Sequence, residues 1–137
     1  MSMFNTYDHT KVNISLNGIS ITDFNGDPTI EKEGPEFEVV EGSNGAIERS
    51  RMVRRLYTVN LPMMQTSAQL NAIEALRVAD EKTGAGPYPF AIVDLNGAYV
   101  IMGKAWVESM GTATKGRAAA ARTVVLKVQA EAAFEGA

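Results

Sequence analysis

The sequence predicts a mainly β protein, an antiparallel β-sandwich or barrel with one flanking α-helix. Each of two Asn-Gly dipeptides is flanked symmetrically by apolar residues, as in a β-hairpin. Short strand candidates alternate with turn clusters, and only one segment has convincing helical periodicity. The length of 137 residues fits a single domain, 1–137. A chain of this size buries about two-thirds of its unfolded surface, which is enough for an independent core.

The first hairpin is predicted around Asn17-Gly18, because Asn and Gly tolerate the positive φ of a two-residue type I′ turn. The preceding strand alternates between apolar and polar residues, which is typical of a half-buried strand. In the resulting antiparallel pair, Leu16 faces Ile19 and Ile14 faces Ile21.

Two short strand candidates, 29–33 and 37–40, follow between turn clusters. Gly42-Ser43-Asn44-Gly45 then opens a polar stretch that is predicted to be flexible as far as about Met52. A structureless loop of about ten residues is long for a compact domain. Two interpretations stay open: an arm that becomes ordered on a neighbouring molecule, and an ordinary surface loop.

A strand over 53–61 that ends at Pro62 precedes the predicted helix. Thr66 and Gln69 form a capping-box pattern at the start of this helix. Thr83-Gly84 provides the stop. The apolar face of the helix consists of Leu70, Ile73 and Leu76.

The second hairpin is predicted around Asn96-Gly97, from strands over 90–95 and 98–107. Val93 then faces Val100, and Ala91 faces Met102. The hairpin is apolar on both faces, which is unusual for an exposed antiparallel sheet, so the helix, another subunit, or both would cover it. The last strand, 123–134, alternates regularly.

Composition limits the possible chemistry. The net charge of −3 and the pI near 5.2 argue against a general nucleic-acid binder. The chain has no cysteine and only His9 as histidine, so no thiol chemistry and no His-based metal site is expected. Asp23, Asn25 and Asp27 begin like a calcium loop, but its sixth and twelfth positions would be Pro28 and Gly34. We therefore expect no enzyme activity, metal or cofactor, and neither a secretion signal nor a membrane anchor.

Charge is distributed unevenly along the chain. Acidic residues dominate 23–41, whereas Arg49, Arg51, Arg54 and Arg55 follow closely. The arginines are compatible with an ordinary solvated surface or with binding of phosphate or nucleic acid. A third interpretation is that the acidic band of one copy meets the basic band of another.

The order of these elements resembles the tail tube proteins of contractile-tailed bacteriophages. The resemblance rests mainly on Asp23-Phe24-Asn25-Gly26-Asp27, on Glu31-Lys32-Glu33-Gly34 and on Gly42-Ser43-Asn44-Gly45, and the order of elements extends it over nearly the whole chain. It implies a structural virion protein that forms stacked hexameric rings. The rings make a hollow β-lined tube that delivers DNA to the host without sequence-specific binding.

The resemblance also implies partners and a location. The chain would contact identical copies, the tail sheath protein, the tape-measure protein, and the baseplate and tail terminator proteins. It would be found in the phage tail of the virion after assembly in the host cytoplasm. The helix would lie on the outside, near any sheath.

Three groups of residues are expected to serve this assembly. An arm at about 42–55 would make the contact between rings, strands within 90–107 would close the ring, and glutamates would line the lumen, since an acidic wall does not retain DNA phosphates. The residues expected between rings are Gly42, Gly45, Arg49, Arg51, Arg54 and Arg55, those for ring closure are Ile92, Val93, Val100, Ile101 and Met102, and those for the lumen are Glu31, Glu33, Glu36 and Glu38.

Two alternatives remain. The first is the tube of a non-contractile tail or of a pyocin-like or secretion machine. The second is a small monomeric β-sandwich module that binds sugar or peptide. Such modules usually display aromatic platforms, and Trp106 with scattered tyrosines offers little of this kind.

Overall fold

The computed structural model describes residues 6–51 and 55–136. A short 3-10 helix, His9–Lys11, precedes the first strand. The strands are β1 (Val12–Leu16), β2 (Ile19–Ser20), β3 (Thr29–Lys32), β4 (Phe37–Glu41), β5 (Ile47–Arg51), β6 (Leu56–Met64), β7 (Tyr88–Asp94), β8 (Tyr99–Ser109) and β9 (Ala121–Glu135), and helix α1 (Ala68–Thr83) lies between β6 and β7. The predicted fold class, mainly β with one flanking helix, is confirmed within the described ranges.

Seven of these strands form one antiparallel sheet in the order β2-β1-β7-β8-β9-β6-β3. Ile21 donates its backbone N–H to the carbonyl of Ile14 in β1, and Phe24, three residues later, forms a bridge with Met63 in β6. Three residues span at most about 10 Å, whereas β1 and β6 would lie about 19 Å apart in a flat sheet. The sheet therefore curls over at this end, towards the predicted sandwich or barrel.

The first hairpin has the predicted register and turn. Leu16 pairs with Ile19, and Asn17 and Gly18 have φ values of 50° and 80°, as a type I′ turn requires.

The second hairpin has the predicted register but a different turn. Val93 pairs with Val100, yet Asn96 and Gly97 both lack positive φ, so the predicted type I′ turn is wrong. Residues 95–98 form a four-residue loop, a length that does not require positive φ at its centre. The Asn96 side chain instead exchanges two hydrogen bonds of 2.8 Å with the backbone of Asp8, and so holds the N-terminal segment against the loop.

Helix α1 begins one residue later than the capping-box pattern predicts. Ser67 is the N-cap, and its hydroxyl accepts the N–H of Gln69 at 3.1 Å, so the prediction of Thr66 is wrong. The Gln69 side chain is engaged elsewhere: its carbonyl oxygen accepts the backbone N–H groups of Thr22 and Asp23. The predicted stop is confirmed, because Gly84 is a C-cap in the left-handed conformation.

The core occupies the inner face of the curled sheet. Along β6, buried and partly exposed residues alternate from Leu56 to Pro62, which assigns Tyr57, Val59 and Leu61 to the inside. Leu70 and Ile73 of α1 join the same apolar cluster. The opposite side of the sheet is not covered by the helix.

The segment predicted to be flexible is largely a β-hairpin. β5 pairs with β4 from Glu41↔Ile47 to Phe37↔Arg51, so the expectation of a structureless stretch from Gly42 to about Met52 is wrong for its described part. The predicted strand over 53–61 is shifted, because β6 continues through Pro62 to Met64. Val53 lies outside the described residues.

Candidate assembly surfaces

The most exposed element of the fold is the β4–β5 hairpin, residues 37–51. Every side chain of both strands is exposed. Phe37, Val39 and Ile47 share one face with Arg49 and Arg51, and Ile47 is 70% exposed. Because an isolated two-stranded hairpin is at best marginally stable in water, this element is suited to packing against a further surface.

The two glycines expected to lie between rings form the tip of this hairpin. Gly42 donates its N–H to the carbonyl of Ala46 at 2.7 Å, and Gly45 donates to the carbonyl of Gly42 at 3.0 Å. Gly45 has a φ of 85°, a conformation that L side chains rarely adopt. Their local role is therefore to reverse the chain and present the tip.

The four predicted arginines are separated by the fold. The Arg49 guanidinium lies 4.1 Å from the centroid of the Phe37 ring, a cation–π contact. Arg51 and Arg55 line a cleft between the hairpin and the end of the sheet, and Arg54 lies outside the described residues. Acidic β4 and basic β5 are neighbours in one chain, so the two charge bands do not need a second copy to meet.

The cleft has a volume of about 710 Å³ and is bounded by Phe37 on the hairpin and Phe134 on β9. The Tyr57 hydroxyl donates a hydrogen bond of 3.0 Å to Glu135. Burial, and then this carboxylate, raise the pKa of Tyr57 to about 12, so the phenol stays a neutral donor. Lys32 lies 5.9 Å from the Tyr57 ring centroid and forms an ion pair with Glu36.

The five residues predicted for ring closure fall on opposite faces of the sheet. Ile92 and Ile101 are 1% and 0% exposed and belong to the core, so their side chains are not available to another copy. Val93 and Val100 pair on the outer face, and Met102 on the same face is 49% exposed. The prediction is therefore wrong for the two isoleucines.

The outer residues belong to a larger apolar surface that crosses β7, β8 and β9. Val100 pairs with Phe134, which is 65% exposed, and Met102 pairs with Ala132. We call this surface the outer apolar strip. It consists of Ala91, Val93, Val100, Met102, Ala132 and Phe134.

The backbones of β7 and β8 cannot close a ring by strand pairing. β7 lies between β1 and β8, and β8 lies between β7 and β9, so both edges of each strand are already occupied. The sheet edges are β2 and β3. Ring closure through β7 and β8 would have to use the outer face of the sheet.

The four glutamates predicted for the lumen differ in their contacts. Glu33 accepts hydrogen bonds from Thr58 and Lys127, which lower the pKa of its carboxyl group, the lysine contributing most. Glu36 is paired with Lys32. Glu31 is exposed on β3 and Glu38 is exposed on β4.

The loop between β8 and β9 is an exposed surface for which the sequence predicts a loop, at 111–116, but no role in assembly. Residues 111–119 are exposed and include Lys115 and Arg117. Arg122 closes the base of the loop by donating from Nε to the carbonyl of Met110 at 2.8 Å. The sequence does carry a signal, because no acidic residue occurs between Glu108 and Glu131. We call residues 110–120 the basic loop.

Over residues 6–51 and 55–136, no group of three or more His, Asp or Glu side chains is arranged to hold a metal ion. In the same ranges, no helix is both long and apolar enough to span a membrane. Comparison with known proteins found no matching family model and no matching curated protein.

Proposed function

We propose that this chain is a non-enzymatic structural subunit that assembles with identical copies into a hollow tube. The identity proposed is a tail tube protein of a contractile-tailed bacteriophage, whose stacked hexameric rings deliver DNA to the host. The observation that carries this proposal is the β4–β5 hairpin, because all of its side chains are exposed although Phe37, Val39 and Ile47 form an apolar row on one face.

The outer apolar strip supports the same proposal. Contiguous exposed apolar surface is typical of interaction sites, and the strip lies on the sheet face opposite the core. A head-to-tail contact between copies gives a closed ring or a continuing filament, depending on the rotation that it imposes. Such an assembly needs two separate contact surfaces on each subunit, and the hairpin and the outer apolar strip are two such surfaces.

The remaining partners follow from this identity. The tube would grow on the baseplate around the tape-measure protein, end at the terminator protein and be enclosed by the sheath protein. Glu31 remains a candidate lumen residue, because Glu33 and Glu36 are already paired with lysines. A wall with little positive charge would let DNA phosphates pass without being held.

The experiment is sedimentation of the purified chain over increasing concentration, followed by negative-stain electron microscopy. We expect rings or tubes from the wild type. The double substitution Val39→Ser and Ile47→Ser removes two of the three side chains of the apolar row and should abolish assembly while the chain stays folded. Val40→Ser is the matched control, because Val40 is also exposed but lies on the other face of the hairpin.

A wild-type chain that stays monomeric at high concentration with its baseplate present would overturn the proposal and favour the monomeric binding module. Equal assembly of the double variant and the wild type would show that the hairpin is not an assembly element. Addition of the candidate sheath protein distinguishes a contractile tail from the related tubes that have no sheath.

A further inference from the structure

The chain contains four Asn-Gly dipeptides, and the fold holds them in different ways. They are Asn17-Gly18, Asn25-Gly26, Asn44-Gly45 and Asn96-Gly97. In an Asn-Gly dipeptide the side-chain amide of the asparagine is open to attack by the next backbone nitrogen, because glycine has no Cβ to shield that nitrogen. The attack requires both groups to move freely, so the hydrogen bonds at each dipeptide decide its reactivity.

At Asn96 the side-chain amide is held on both of its polar atoms. Its oxygen accepts the backbone N–H of Asp8, and its nitrogen donates to the Asp8 carbonyl and to the Asp94 carboxylate, each at 2.8 Å. Several hydrogen bonds must therefore break before this amide can turn towards the following backbone nitrogen.

At Asn44 both reacting groups are hydrogen-bonded. The side-chain oxygen of Asn44 accepts the N–H of Ala46 at 3.1 Å. The N–H of Gly45, whose nitrogen would be the attacking atom, donates to the carbonyl of Gly42 at 3.0 Å. The tip of the β4–β5 hairpin is thus protected although it is exposed.

At Asn17 the restraint comes from the backbone. Asn17 and Gly18 have φ values of 50° and 80° in the type I′ turn, and the pair Leu16↔Ile19 closes this turn. The carbonyl of Pro89 also accepts the N–H of Asn17 at 2.7 Å. Rotation of the backbone between Asn17 and Gly18 would therefore open the first hairpin.

Asn25-Gly26 has none of these restraints on its reacting groups. Over residues 6–51 and 55–136, neither the side chain of Asn25 nor the N–H of Gly26 forms a hydrogen bond. Both residues are exposed and lie in a bend of the chain. The N–H of Asn25 donates to the carbonyl of Pro62 at 2.8 Å, but this group does not take part in the attack.

The fold requires glycine after Asn25. Gly26 has a φ of 136°, a conformation that L side chains rarely adopt, and a Cβ atom added there would lie 3.1 Å from the Pro62 side chain. A larger residue, which would shield the attacking nitrogen, is therefore disfavoured at this position.

We propose that Asn25 is a site of spontaneous deamidation in the folded protein, with water as the co-reactant. The Gly26 nitrogen loses its proton to the solvent and forms a bond to Cγ of Asn25. The bond from Cγ to the side-chain nitrogen then breaks, and this nitrogen takes up protons from water and leaves as ammonia. The resulting succinimide ring is opened by water at either of its carbonyl groups, which gives aspartate or isoaspartate.

Both products change the corner of the chain that leads to β6. A new carboxylate appears between Asp23 and Asp27, and Asp23 already accepts the hydroxyl of Ser67, the N-cap of α1. Isoaspartate also adds a carbon atom to the main chain, directly after the N–H that binds Pro62. We therefore expect the isoaspartate form to unfold at a lower temperature than the unmodified chain.

The test is incubation of the folded chain at mildly basic pH, followed at intervals by peptide mapping. Mass spectrometry with fragmentation of each peptide reports the conversion of every asparagine separately. Asn25 should convert about tenfold faster or more than Asn17, Asn44 and Asn96, because their restraints must be broken first. In guanidinium chloride this lead should disappear, since the unfolded chain has none of the restraints.

Two variants check the assignment by ion-exchange chromatography, which separates the more acidic product. Asn25→Gln should remove the main acidic species, because ring closure from the longer side chain is slow. Asn44→Gln, at another exposed Asn-Gly dipeptide, is the matched control and should form that species like the wild type.

Each remaining outcome contradicts the inference. Conversion of Asn25 no faster than that of Asn44 or Asn96 in the folded chain would refute it. A lead of Asn25 that persists unchanged in denaturant would show that the fold does not cause it. The measurement does not require assembly, so a chain that forms no tubes still tests this site.

Discussion

Gly103 lies at a β-bulge between β8 and β9, where the two backbones approach closely. A Cβ atom added at this position would lie 2.1 Å from the carbonyl oxygen of Gln129. Because the obstacle is backbone, Gly103→Ala should lower the free energy of unfolding by about 2–3 kcal/mol. Urea unfolding monitored by Trp106 fluorescence measures this. In the control Gly116→Ala, the added Cβ meets nothing within 4 Å, and stability should stay the same or rise slightly.

The carboxyl group of Glu33 contributes to the decline of stability at acidic pH, which we call the acid limb. Lys127 and then Thr58 lower its pKa from the ordinary value of 4.5. A lowered folded pKa means that the contribution is complete above about pH 4.5 and is lost as pH falls through the folded pKa. Glu33→Gln should therefore flatten the decline of stability below this pH, as measured by thermal unfolding across pH 2–6.

The control for this prediction is Glu31→Gln, on the same exposed face of the sheet edge, which should retain the wild-type acid limb. An unchanged acid limb in Glu33→Gln would contradict the coupling to Lys127.

Among the secondary-structure elements, helix α1 offers a direct test of which residue is its N-cap, Ser67 as in the structure or Thr66 as in the capping-box pattern. Ser67 accepts the N–H of Gln69 and donates to Asp23 at 2.6 Å, so Ser67→Ala should cost about 1–2 kcal/mol of unfolding free energy. Thr66→Ala should cost much less, although the capping-box pattern assigns the cap to Thr66. Chemical denaturation of the two variants measures the difference, and a larger loss for Thr66→Ala would restore the sequence-based assignment.

The elements that were predicted correctly are those that local chemistry specifies. Asn17-Gly18 supports a type I′ turn by itself, and alternating apolar residues fix the register of each hairpin. The cap was misplaced because Gln69 binds Thr22 and Asp23, which are distant in sequence. In the hairpin over 37–51, the first strand was predicted, but β5 and its pairing with β4 were missed because these strands have no core face to impose alternating burial.

In the whole molecule, the candidate assembly surfaces depend on the order of the strands in the sheet, and that order cannot be predicted from local sequence patterns. Both faces of the second hairpin are apolar, and only the position of β9 beside β8 shows that Phe134 extends the face of Val100 and not that of Ile101. Likewise, the pairing of β6 with β9 is what places the basic loop and the hairpin at opposite ends of the sheet. These are contacts between segments that are distant in sequence, so local periodicity does not predict them.

The two faces of the second hairpin should therefore respond differently to substitution. Ile101 is fully buried, so Ile101→Ala should cost about 2–5 kcal/mol of unfolding free energy. Met102 lies on the outer apolar strip and is half exposed, so Met102→Lys should change that free energy by about 0.5 kcal/mol or less. If the strip is an interface between copies, Met102→Lys nevertheless prevents assembly, because a charge replaces apolar contact. Chemical denaturation and sedimentation of the same samples separate the two effects, and full assembly of folded Met102→Lys would remove the strip from the proposed interface.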